Sequence, residues 1–181
     1  MLEAERTALL AGWTRNQGAA CTTAAALAAL AALGASGLPA LGPATRLLGA
    51  TVEFGAPGLL DYVGWPGRRA PLDLRIEALA AAVGLGVRSR STLVLPGWPL
   101  RTRPGEILLA HLAWGQEGPG HRGAWGWRPL VPATYSTGGH SVVVADTTSR
   151  AWLVLDPNLE GFQLWARPGL ATAITRIKRT P

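Results

Sequence analysis

Cysteine is almost absent: Cys21 is the single one in 181 residues. That excludes an intramolecular disulfide framework and any cysteine-rich zinc module. Lysine is equally scarce, since Lys178 is the one exception in a basic set of 17 that is otherwise arginine. Charged residues make up only 15% of the chain against 48% hydrophobic ones, which excludes disorder driven by low hydrophobicity and high charge. The three histidines, His111, His121 and His140, show no close ligand spacing, so no metal is expected. A phosphate-binding glycine motif is also missing, and no cofactor is expected. Asp61, Asp73 and Glu77 show no carboxylate pairing suited to acid/base chemistry; Asp73 reads as a helix N-cap.

No charge falls between Arg15 and Arg46. The run is alanine-rich, contains Thr22 and Thr23, and is broken by Gly34, Gly37, Pro39 and Gly42. Alanine contributes little insertion energy, so the expectation is a buried helix and a loop, with no membrane span. Glu3 and Glu5 stand where a signal peptide would carry its basic region, so the chain is expected to be cytoplasmic with its thiol reduced.

The length fits one domain over residues 1–181, able to bury about 70% of its unfolded surface. Gly 23 and Pro 14 imply many turns between short elements. The net charge of +6 favours anionic partners. The arginines are scattered, with pairs only at Arg68-Arg69, Arg88/Arg90 and Arg101/Arg103, which reads as a solvated charge set and not a nucleic-acid face.

Helices are expected over residues 4–14, 21–33, 43–50 and 73–83. The second is alanine and leucine throughout, hence buried on all sides, and Gly34 stops it. Residues 52–71 are turn-rich. Strands are expected over 87–95, 106–113, 140–145, 151–156 and 161–165, and the alternation over 170–178 suits another. His111 reads as the end of its strand. Helices first and an antiparallel sheet after them give an α+β fold.

Cys21 begins the most strongly helical segment, where the helix dipole favours a thiolate. A turn at Asp146–Arg150 would set Ala145 against Ala151, Val144 against Trp152, Val142 against Val154 and His140 against Asp156. A carboxylate beside an imidazole orients the ring and stabilises its charged form. A slip of two residues would bring Asn158 opposite His140 instead, and asparagine can orient an imidazole too. Gly138 and Gly139 leave the backbone before His140 uncrowded, so that a substrate chain could lie close. Gln17 or Asn16, shortly before Cys21, could donate to an oxyanion.

The run Asn16-Gln17-Gly18-Ala19-Ala20-Cys21 with its alanine/leucine helix, the run Gly138-Gly139-His140-Ser141-Val142-Val143-Val144, and the run Leu155-Asp156-Pro157-Asn158 together resemble the C39-like branch of papain-like cysteine peptidases. The resemblance extends in order over most of the chain. It implies a papain-like fold and thiol-dependent cleavage of an amide bond in a peptide or protein substrate. That substrate could be a leader peptide, and an acidic one would suit the basic surface. It further implies Cys21 as nucleophile, His140 as general base and acid, Asp156 as the orienting residue and Gln17 as oxyanion donor. The chain departs from the family's usual pattern at Thr22, where glycine commonly follows the cysteine, and in having Gln17 closer to the cysteine. An acyl or peptidyl transferase, or a cyclising enzyme, would use the same residues; a peptide-binding module without catalysis would share the fold.

Of the eight tryptophans, Trp13, Trp152 and Trp165 read as core. Trp125 and Trp127, with Arg122 and Arg128, lie in a Gly/Pro/Trp loop over residues 115–129 and could form a recognition wall for substrate.

Overall fold

The computed structural model describes residues 3–18, 20–48, 70–94, 99–114, 138–148, 151–166 and 171–181. Within them the order is α1 (Glu3–Ala11), α2 (Cys21–Ala32), α3 (Leu41–Leu48), α4 (Leu72–Ala81), then β1 (Val87–Leu93), β2 (Glu106–Trp114), β3 (Gly138–Thr147), β4 (Ala151–Leu155), β5 (Phe162–Ala166) and β6 (Ala171–Arg179). The fold is α+β. The turn-rich stretch over 52–69, the loop over 115–129, and with them Trp125, Trp127, Arg122, Arg128 and His121, lie outside the described residues.

The helical half is centred on α2. Its first ten residues, Cys21 to Leu30, are all buried, as expected of a helix apolar on every side. Its small side chains allow close approach: a Cβ built on Gly12, just after α1, would lie 2.5 Å from the Ala31 Cβ. The helix ends in a Schellman arrangement. Gly34, at φ +98°, donates to the Ala31 carbonyl at 2.9 Å, and Ala35 donates to the Leu30 carbonyl at 3.0 Å. No helix among the described residues is long and apolar enough to cross a membrane.

The strands form one antiparallel sheet in the order β1-β6-β2-β3-β4-β5. Two apolar clusters cover its two faces. Ile107, Leu109, Val143, Ala145 and Ile177 pack with α1–α4, while Leu108, Ala110, Val142, Val144, Trp152 and Val154 form a second cluster. The alternation of consecutive strand residues between the clusters is the pleat expressed as packing.

Three expectations need correction. The β3–β4 hairpin pairs Val143 with Leu155 and Val144 with Val154, not Val142 with Val154. The ladder thus runs in the alternative register, shifted by two residues. Asp146 and Thr147 belong to β3, opposite Leu153 and Trp152, so the turn starts later than composition suggests. Thr148 closes it: its N–H reaches the Ala151 carbonyl at 2.8 Å and its Oγ1 accepts the Ala151 N–H at 2.9 Å. An irregularity between Val144 and Asp146 takes up a further residue. Second, Asp73 does not cap α4. The helix begins at Leu72 after Pro71, with no side-chain cap, and the Asp73 carboxylate accepts the adjacent Leu74 N–H at 2.9 Å. Third, His111 lies inside β2 and not at its end.

Candidate active site

Cys21 is the first residue of α2, where the helix's unsatisfied N–H groups and positive end are concentrated. The loop before it turns through Gly18 at φ +64° and is closed by Asn16, whose Oδ1 accepts the Ala20 N–H at 3.0 Å. The same asparagine reaches across the chain. Its Nδ2 donates to the Asn158 Oδ1 at 2.9 Å and its backbone N–H to the Pro157 carbonyl at 2.8 Å. Trp13 adds a third tie, donating Nε1–H to the Asp156 carbonyl at 3.0 Å. The segment leading into the cysteine helix is therefore fastened to the segment leaving β4.

Asp156 stands just beyond β4, where Pro157 ends the strand's ability to donate. Its Oδ1 accepts a hydrogen bond from His140 Nε2 at 2.7 Å and another from the Asn158 N–H at 2.8 Å. With the observed register, the carboxylate reaches the imidazole diagonally, past the end of the ladder. All three side chains are buried: Cys21 and His140 are 1% exposed and Asp156 3%.

The His140 pKa is pushed up to about 9. Burial acts strongly the other way, disfavouring the charged ring. The hydrogen bond to Asp156, the hydrogen bond with the Cys21 side chain, and the charges of both groups overcome it. The imidazole therefore holds its proton at neutral pH. Nε2 is committed to Asp156, which leaves Nδ1 as the ring nitrogen turned away from the carboxylate.

No family model matches the chain, and no curated protein matches it. Among solved structures, a Bacillus anthracis protein named "putative C39-like peptidase" is similar over 92% of this chain and 91% of its own, at 14% identity and a TM-score of 0.44.

The structure thus brings together Cys21, His140 and Asp156. Asn158 meets Asp156 through its backbone and Asn16 through its side chain. Gln17 lies exposed in the loop before α2. Gly138 and Gly139 form the first residues of β3, opposite Trp114 and Ala113 of β2. No group of three or more His, Cys, Asp or Glu that could hold a metal occurs among the described residues.

Sequence reasoning missed a second polar group beneath this site. His111 is fully buried on β2, with Nδ1 at 2.8 Å from the Ser141 Oγ and Nε2 at 2.8 Å from the Thr175 Oγ1. Ser141 Oγ lies in turn 2.8 Å from the Thr22 Oγ1. Burial pushes the His111 pKa down to about 3, so this ring is neutral. The available signal was strand alternation, which puts His111 on the same face as Ile107 and Leu109.

Proposed function

We propose that the protein is a cysteine-dependent amide hydrolase of peptidase type, acting through Cys21, His140 and Asp156. One observation carries this reading. The sole thiol, at the head of a helix, lies close enough to an imidazole to help raise its pKa, and a carboxylate holds that imidazole at 2.7 Å. The thiol proton already rests on His140, and the Cys21 sulfur attacks the amide carbonyl carbon as the thiolate partner of that imidazolium. The tetrahedral oxyanion is met by first-turn N–H groups of α2, with Gln17 the exposed amide of the loop before it. His140 then gives its proton to the leaving amine, and a thioester remains. Water, deprotonated by His140, releases the acid and restores the thiolate beside the imidazolium. A bound amine in place of water would make the same centre a transferase. A peptide is the substrate class, and an acidic one suits the net charge of +6. The absence of charge clustering and of any membrane-length helix among the described residues fits a peptide better than a nucleic acid or bilayer.

Burial sets the condition this reading must meet. A sulfur 1% exposed is reached only when the structure opens locally, and the same burial favours the second reading, a peptide-binding module without turnover. Native-state alkylation with iodoacetamide separates the two. The hydrolase requires Cys21 to react rapidly well below pH 8, with the rate lost in His140→Ala. A thiol that reacts only on unfolding leaves the binding module. Product masses from peptide libraries then distinguish hydrolysis from transfer.

A further inference from the structure

The nucleophile and the base are each followed in sequence by a hydroxyl residue, and those two hydroxyls touch. Thr22 follows Cys21 on α2, Ser141 follows His140 on β3, and their oxygens are 2.8 Å apart. Both residues are buried, Thr22 4% and Ser141 0% exposed. The next helix residue, Thr23, is also buried, yet its hydroxyl has no hydrogen-bond partner among the described residues. A buried hydroxyl is thus tolerated here without a bond, and the Thr22–Ser141 bond is a specific placement and not a general need of the helix.

We propose that Thr22, Ser141 and His111 are positioning residues that set the Cys21–His140 contact, an inference that rests on the hydrolase reading above. The bond is a directed link between the helix and the strand that carry the two reacting groups, and apolar packing does not fix a distance to a fraction of an ångström as a directed hydrogen bond does. The hydroxyl pair ties the backbone one residue beyond the sulfur to the backbone one residue beyond the ring. His111 supplies the direction. A neutral imidazole donates from one nitrogen and accepts at the other. Bonded to Ser141 on one side and Thr175 on the other, it makes the hydroxyls point one way along a line that continues to Ser91 Oγ, 2.9 Å from the Thr175 Oγ1. Reversing any member requires reversing its neighbours, so the line resists the hydroxyl rotation that would loosen the tie.

The test compares Thr22→Val and Ser141→Ala with the intact chain and with Ser89→Ala. Ser89 is a buried β1 serine whose hydroxyl donates to the Asp73 carbonyl at 2.7 Å, away from the site. The readouts are the pH profile of iodoacetamide alkylation, clean because Cys21 is the only thiol, and the His140 titration by NMR. Breaking the tie should slow alkylation below pH 8 by roughly ten- to a hundredfold and lower the His140 pKa from about 9. Thr22→Ser should restore both, and Ser89→Ala should change neither although it too lowers the melting temperature. Folded Thr22→Val and Ser141→Ala proteins with the parent's alkylation profile and His140 titration would overturn the proposal. If Thr22→Val does not fold, Ser141→Ala and Thr22→Ser carry the test. If the parent's Cys21 never reacts in the native state, the hydrolase reading fails on that result alone; the tie is then decided by whether His140 still titrates near 9 once it is cut.

Discussion

His140 and His111 sit on neighbouring strands, both buried within 1% of completely, yet they titrate in opposite directions. One is raised to about 9, the other lowered to about 3. Burial penalises the charged ring in both. The partners make the difference: a carboxylate and a thiol at His140, two hydroxyls at His111. A hydroxyl can satisfy an imidazole nitrogen but brings no net charge to offset desolvation, so a ring held by hydroxyls stays neutral. One sheet therefore holds one histidine that keeps its proton and another that stays neutral.

Replacing the sulfur breaks the comparison most severely. Cys21→Ala should cut turnover of a cleavable peptide by about 10⁴-fold or more, read as product formation. It should also lower the His140 titration, because the sulfur's hydrogen bond and charge help raise it. Asp156→Asn comes next. It leaves the shape but removes the charge, so His140 should behave like His111, titrating in the neutral range or below by NMR, with activity down by about 10²–10⁴-fold. An unchanged His140 titration would show that the carboxylate does not set its state.

The two rings should also mark the two limbs of the pH–stability curve. His140 binds its proton more tightly folded than unfolded. Its contribution is full below pH 6.5 and is lost as pH rises through about 9. His111 binds its proton more weakly when folded. Its contribution is full above 6.5 and is lost as pH falls toward about 3. Urea denaturation across pH should show both limbs, with His111→Gln flattening the acid side and His140→Gln the alkaline side. Asn158→Ala should have the smallest effect. It removes the side-chain bond to Asn16, worth about 1 kcal/mol, but keeps the backbone N–H that reaches Asp156. The His140 titration should not move, which separates Asp156 from Asn158 as the residue that orients the ring.

What could be read from the sequence was what composition and period determine locally. Alanine and leucine made α2 and its burial plain, Gly34 marked its end, and alternation found the strands to within a few residues. Pairing was harder, because the hairpin's register depends on how the turn at Thr148 closes and on the irregularity near Ala145. Asp156 still met His140, since a side chain can reach diagonally where a ladder stops. The buried hydroxyl line was invisible for a different reason. It joins four strands and a helix, and no local pattern in any one of them marks Thr22, Ser141, Thr175 or Ser91 as partners of His111.

The sheet order has a consequence for how the molecule matures. β6 does not lie at an edge; it fills the gap between β1 and β2 and pairs with both. During synthesis Cys21 leaves the ribosome long before His140, and the strand that joins the two parts of the sheet emerges later still. A nascent chain halted before Ala171 would carry every residue of the centre on a scaffold missing its keystone. The two parts of the sheet would therefore be joined only once Ala171–Arg179 has been made.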